Sequence, residues 1–235
     1  MILYHYSNGL YGKLKDFSED KKGVFFTTSN DGHNGQPWLF RYAINKDESD
    51  PKLNKVESEY NTSSIKWYTY LDDDLEYDNV LCLNYEFAPI VDKVKEFRDL
   101  IERTDFSLDH DSEWFSDFPR GCCGDTANLL WKFLQINFNG KYDSDIRIKN
   151  GEKNGRWHAW LEYRDTIVID VTADQFHSIS EPVIITTDKE FYREFRRHDN
   201  NVYIEPDFDM VESYNRARLS RLYDLICRGD FKKSE

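Results

Sequence analysis

The sequence is short of positive charge. Its 31 Lys and Arg stand against 44 Asp and Glu, a formal net charge of −13 over 235 residues. Such a chain is poorly suited to tracking phosphates, so no nucleic-acid partner is expected. An anionic membrane surface repels it, whereas a basic protein partner suits it. No run approaches the roughly 18 apolar residues of a membrane span, so no membrane association is expected. The N-terminus, MILYHYSNGLYGK, has no basic start followed by an apolar stretch, and no export signal is read there. Cysteine is sparse: Cys82, Cys122, Cys123 and Cys227. None forms a C-x-x-C pair, so neither a zinc site nor any other cofactor is signalled. The adjacent pair suits a disulfide framework badly. Reduced thiols and a cytoplasmic location are therefore expected. Methionine is nearly missing, with 2 residues. Aromatic residues are plentiful instead. The 15 Tyr, 16 Phe and 6 Trp make up 16% of the chain, which excludes an acidic disordered protein.

The length allows one large domain or two small ones. Residues 1–88 read as short strands: ILYHYS, GVFFTTS, LFRYAI, SIKWYTYL and VLCLNYEF, separated by Gly, Asn, Asp and Ser clusters. After Pro89, Ile90, Val91, Val94, Phe97, Leu100 and Ile101 recur at helical spacing. Residues 105–117 are acidic and loop-like. A second helix follows Pro119, with Ala127, Leu130, Trp131 and Leu134 on one face. RWHAWLEY and TIVIDV read as strands joined by a short turn, PVIITT as another strand, and KEFYREFRR as helix. Beyond Pro206 a last helix carries Leu219, Leu222, Tyr223 and Ile226. Strands, helices, strands and a helix in that order predict an α+β fold. The expected arrangement is a β-rich region, 1–88, acting as a subdomain or a sheet extension, then a cysteine domain, 89–235, with a C-terminal helix.

Chemistry concentrates in FPRGCCGDTANLLWKFL. Gly121 and Gly124 flank Cys122 and Cys123 where a turn feeds the second helix. A thiol at a helix start feels the positive end of the helix dipole, which favours the thiolate. Cys123 is the expected nucleophile, since Ala127 lies one turn on along the same face. His158 sits on the strand RWHAWLEY, and Asp170 ends the next strand. A thiol needs a base to hold its proton, and the imidazole needs an acceptor that sets its tautomer. Cys123, His158 and Asp170 supply those roles, with Asp174 as an alternative orienting carboxylate. Trp157, Trp160 and Cys122 are candidates for substrate contact or the oxyanion site, one indole lining the cleft and the other packing inward. The Cys123 N–H is one natural oxyanion donor. Trp114 and residues 117–120 are near enough in sequence to supply a second.

The hairpin between His158 and Asp170 has a strict parity. A two-residue loop at 164–165 pairs Tyr163 with Thr166 and sets His158 opposite Val171, so that Asp170 points to the other face. The dyad requires an odd loop. Its simplest form is Tyr163–Arg164–Asp165, which sets His158 directly opposite Asp170.

These segments resemble the transglutaminase-like branch of the papain-like cysteine enzymes. Gly121, Cys123, Asp125 and Ala127 match its nucleophile motif. HAWLEY and IDVTADQF are similar to its His-Ala-Trp and Asp-x-Thr strands at His158, Asp170 and Thr172. The resemblance spans roughly residues 95–190. It implies a Cys-bearing helix packed on an antiparallel sheet, and acyl transfer from a protein or peptide amide through a thioester to water or an amine. A peptidase, a deamidase and a transglutaminase all fit. The 35-residue step from Cys123 to His158 is compact for the family, so substrate contacts are expected from residues 1–88 or the C-terminal tail. ILYHYSNG and GVFFTTS resemble the opening strands of ADP-ribosyltransferase-like folds. That resemblance implies that His5 contacts the nicotinamide ribose of NAD and that a glutamate such as Glu86 is catalytic. A third alternative is a non-catalytic acidic binding or inhibitor protein on the same fold.

Overall fold

The computed structural model describes residues 1–11, 13–14, 24–28, 38–56, 66–71, 75–108, 110–196 and 213–228. Gly23, Ser29, Ser64, Ile65, Asp109, Arg197 and Pro206, named above at the margins of expected elements, lie outside them. The chain is α+β and divides into two compact units, Met1–Ala88 and Pro89–Glu235.

The first unit holds β1 (Ile2–Ser7), β2 (Val24–Thr27), β3 (Phe40–Asn45), β4 (Leu53–Val56), β5 (Trp67–Tyr70) and β6 (Asn79–Cys82). They form one antiparallel sheet in the order β4-β5-β2-β1-β3-β6. Among the described residues these strands make a sheet of their own and do not extend the other unit's sheet. β4, with the weak strand signal LNKV, was not expected. Along β3, Phe40, Tyr42 and Ile44 are buried while Arg41 and Ala43 are partly exposed, the period of two that a one-faced core imposes. Tyr42 is fully buried, yet its hydroxyl is satisfied. It donates to Gly9 O at 2.9 Å and accepts the Tyr11 N–H at 2.7 Å.

The second unit starts with α1 (Ala88–Arg103), whose buried stripe is Ile90, Val91, Val94, Phe97, Arg98 and Ile101. Two 3-10 stretches, Phe106–Leu108 and His110–Asp117, stand where a loop was expected. Then come α2 (Cys123–Asn137), β7 (Ile146–Lys153), β8 (Arg156–Tyr163), β9 (Ile167–Asp170), β10 (Ile184–Thr186), α3 (Glu190–Arg193) and α4 (Ser213–Arg228). The antiparallel sheet runs β10-β9-β8-β7. β7, the segment IRIKNGEK, was not foreseen, because its charges mask the strand pattern. KEFYREFRR yields only one helical turn, α3.

Two turns set the register. Asn154 and Gly155 close β7 onto β8 with φ of 53° and 77°, the two positive values a two-residue hairpin loop needs. At the β8–β9 turn Arg164 and Asp165 also have positive φ, 48° and 49°, and Thr166 N–H returns to Tyr163 O at 3.0 Å. Such a turn alone would pair Tyr163 with Thr166. The ladder instead pairs Tyr163 with Ile167, so Thr166 is one residue extra on β9, as in a bulge. The loop is odd, as the dyad requires, but it comprises residues 164–166 rather than 163–165. Continuing that ladder sets Asp170 level with Trp160, one step diagonal to His158.

The pleat then sorts the side chains of β8. His158, Trp160 and Glu162 share a face with Val168 and Asp170. Ala159, Leu161 and Tyr163 point to the other, where Thr126, Ala127 and Leu130 of α2 meet Ala159, Leu161 and Ile169 around a small gap. α2 thus packs along the back of the strand that carries His158.

Arg98, only 5% exposed, ties α1 to the end of β9. Its Nη1 donates to Val171 O at 2.6 Å and Pro182 O at 3.2 Å, its Nη2 to Asp174 Oδ2 at 2.7 Å, and its Nε to Glu102 Oε1 at 2.7 Å.

Candidate active site

Cys123 is the first residue of α2, and Cys122 is its N-cap. Gly121 precedes them at φ 72°, in the left-handed region that a side chain disfavours. That turn points the two thiols differently. Cys122 is buried and donates to Pro119 O at 3.3 Å; its thiol is pushed up to about 12, chiefly by burial. Buried and turned toward residue 119, it is not placed to touch a substrate or an oxyanion. Cys123 is partly exposed, and its Sγ lies 3.8 Å from Trp157 O at the start of β8. Its side chain also contributes to the raised proton affinity of His158. As the first residue of a helix, Cys123 has an N–H with no acceptor inside that helix.

His158 is 1% exposed, and its Nε2 lies 2.6 Å from Asp170 Oδ2. Four rings enclose the imidazole: Trp160 stacked at 5.7 Å, Phe176 edge-on at 5.0 Å, Phe195 at 5.4 Å and Tyr192 at 6.4 Å. Burial in this box opposes a charged ring. Asp170, and then the Cys123 side chain, outweigh it and raise His158 to about 9. Asp170 is saturated with donors. Besides His158, Oδ2 accepts the Tyr192 hydroxyl at 3.0 Å, and Oδ1 accepts the Thr172 N–H at 2.8 Å and hydroxyl at 3.1 Å. Burial and the neighbouring Asp170 hold the Tyr192 phenol well above its ordinary range, so it stays a donor. With its oxygens anchored on both sides, the carboxylate fixes the ring plane.

The remaining candidates fall into place around this dyad. Asp174 takes both Arg98 nitrogens, at 2.7 and 3.1 Å, and serves the link to α1, whereas Asp170 orients the imidazole. Trp160 is buried, walls His158 and packs on Val168, Tyr192 and Phe195. Its indole N–H goes to Glu162 Oε1, whose other oxygen takes Lys189 Nζ. It stands behind the imidazole and lines a cleft with Lys149, Glu162, Lys189, Tyr192 and Phe195. Trp157 is 55% exposed beside Cys123. Asp125 takes Arg218 Nη2 on both oxygens at 2.9 Å, and the Arg218 guanidinium stacks 4.4 Å over the Trp114 ring. Burial raises the Asp125 carboxyl against the pull of Arg218. The motif aspartate thus anchors α4 to the start of α2.

Two residues of the site carry no motif. Tyr192 comes from α3, 22 residues beyond Asp170. Gln175, on the 3-10 turn Ala173–Gln175, places its Nε2 3.0 Å from His158 Nδ1 and 3.0 Å from Thr172 O. Both are ordinary residues by sequence, and only folding brings them to the ring. Among the described residues no three His, Cys, Asp or Glu side chains gather as metal ligands, and no helix is long and apolar enough to cross a membrane. In the first unit, His5 lies on β1 with Phe26 and Tyr42 rings at 5.8 and 6.1 Å, and Glu86 is exposed after β6.

No family model matches the chain, and neither a curated protein nor a solved structure matches it.

Proposed function

We propose that the second unit is a cysteine-dependent acyl-transfer enzyme on a papain-like, transglutaminase-like core, with Cys123 as nucleophile, His158 as acid–base and Asp170 as the orienting carboxylate. The observation that carries this reading is the buried 2.6 Å pair of His158 Nε2 with Asp170, set against a partly exposed cysteine at a helix start. With Nε2 committed to Asp170, Nδ1 is the nitrogen left for the thiol. The Cys123 proton passes to Nδ1, and the sulfur attacks an amide carbonyl. The carbonyl electron pair moves onto oxygen and is met by the Cys123 N–H. Collapse breaks the C–N bond, and the leaving amine or ammonia takes the proton from Nδ1. Water or a second amine then gives a proton to Nδ1 and attacks the thioester; the C–S bond breaks, and the proton returns from Nδ1 to the Cys123 sulfur.

The decisive experiment is intact-mass analysis of candidate protein substrates with the wild type and Cys123→Ala. Deamidation adds one mass unit per site, proteolysis gives fragments, and transamidation gives a crosslink. Equal products from both enzymes would overturn the reading.

A second reading belongs to the first unit alone. β1, with His5, and β2, with Val24–Thr27, are neighbours at the centre of its sheet, and Tyr4 pairs with Thr27. That adjacency favours an ADP-ribosyltransferase-like use of NAD. NAD-dependent self-labelling that is lost in His5→Ala tests it.

A further inference from the structure

Acyl transfer by Cys123 requires a second hydrogen bond to the oxyanion, and the candidates near it in sequence do not supply one. The Trp114 ring packs against the Arg218 guanidinium 4.4 Å away, the Cys122 thiol donates to Pro119 O, the Phe118 and Arg120 N–H groups donate to Phe115 O and Asp117 O, and Pro119 has no N–H. We infer that Gln175 is that donor, and that it is parked on the acid–base histidine while that ring is neutral. This inference rests on the acyl-transfer reading and adds a residue to it.

Three contacts define the parked state. His158 Nε2 is held by Asp170 at 2.6 Å, so the ring meets other groups through Nδ1. Gln175 Nε2 stands 3.0 Å from that Nδ1. The same amide nitrogen donates to Thr172 O at 3.0 Å, which orients its NH₂ end, rather than its carbonyl, toward the ring. The side chain of His158 has no exposed surface, so Gln175 and the four rings cover what a substrate must reach. The Cys123 side chain also raises the proton affinity of this imidazole. With Nε2 taken by Asp170, Nδ1 is both the nitrogen that the amide covers and the one that the proposed proton transfer from Cys123 uses; on this inference, torsions of the Gln175 side chain carry its N–H to a carbonyl oxygen held at the sulfur.

Proton chemistry supplies the reason to move. A neutral ring with its proton on Nε2 accepts an N–H of Gln175 at Nδ1. When Nδ1 takes the thiol proton, two donors face each other and the contact turns repulsive. The event that makes the thiolate thus releases the amide N–H just as a carbonyl oxygen begins to gain charge. Because Gln175 sits on the short turn that follows Asp170, its backbone is held by the same strand end that holds the carboxylate.

The test compares two reactions of one thiol. Iodoacetamide alkylates Cys123 by displacement: the S–C bond forms, iodide leaves, and no oxyanion arises. p-Nitrophenyl acetate acylates it through a tetrahedral oxyanion: the S–C bond forms, the carbonyl electrons move onto oxygen and return, and p-nitrophenolate departs. In Gln175→Ala, and in the size-matched Gln175→Met, alkylation of the full chain should stay within about twofold of wild type or rise, because a competitor for Nδ1 is gone. Acylation should fall about 10²-fold, the usual cost of one oxyanion donor. Equal losses in both reactions, or no loss in either, overturn the Gln175 role alone. A wild-type Cys123 that alkylates no faster than glutathione overturns the acyl-transfer reading, and this role falls with it.

Discussion

His5 and His158 are both strand histidines in antiparallel sheets, one in each unit, and their surroundings differ in kind. His5 lies on β1 among the rings of Phe26 and Tyr42. His158 is also ringed by aromatics, but its polar edges are taken up one by one: Nε2 by Asp170, and Nδ1 by Gln175 beside Cys123. A carboxylate that is itself pinned by Thr172 and Tyr192 gives the His158 ring a fixed plane, a chosen tautomer and a raised affinity for protons. On the proposed function, the carboxylate that holds the far side of the His158 ring is what fits it for acid–base work.

The comparison breaks most sharply at the thiol. Cys123→Ala and His158→Ala should each abolish product formation by intact mass, while His5→Ala leaves the cysteine-dependent product at the wild-type level. Asp170→Asn comes next. It keeps the shape but loses the charge that sets the tautomer, and acylation by p-nitrophenyl acetate should fall about 10³-fold or more, in line with loss of the orienting carboxylate elsewhere. A fall of less than tenfold would make Asp170 a packing residue.

Stability sharpens the contrast further. Arg98→Met leaves Asp174 partly buried without its partner and should cost about 3 kcal/mol by urea unfolding. Arg41, stacked 5.0 Å over the Tyr4 ring in the first unit, should cost about 1 kcal/mol or less on the same change. The pH dependence has a definite sign. His158 is raised from 6.5 to about 9 on folding, so its contribution is fully present below pH 6.5 and is lost as pH climbs through about 9. The unfolding free energy should drop across that window by at most about 3 kcal/mol, and His158→Gln should flatten the drop. A stability that rose from pH 6.5 to 9 in the wild type and not in His158→Gln would contradict the pairing with Asp170. The smallest effect is expected at His5→Phe, within about 1 kcal/mol.

Much of this was legible in residues. Helical spacing located α1, α2 and α4, and the β-branched and aromatic runs located eight of the ten strands among the described residues. Of the two strands that were missed, LNKV is short with polar residues at its centre, and IRIKNGEK carries four charges; neither has an aromatic. Within the site, Cys123 stood out through its place at a helix start, and His158 and Asp170 through their strands. Tyr192 and Gln175 did not, because nothing local marks a tyrosine in KEFYREF or a glutamine in TADQF as a partner of a distant ring.

The sequence by itself determined most of the strands, the three long helices and which thiol heads a helix, because those follow from side-chain periodicity and turn chemistry over a few residues. Whether His158 and Asp170 share a face was left to the tertiary structure. Side chains alternate with period two, so a single residue, Thr166, held outside the ladder at the β8–β9 turn, decides it. The choice of Asp170 over Asp174 was likewise made at a distance, by Arg98 on α1, which claims Asp174 and leaves the strand-end carboxylate to the imidazole. Spacing along a chain cannot state which of two nearby carboxylates a cation 72 or more residues earlier will reach; only packing brings them together.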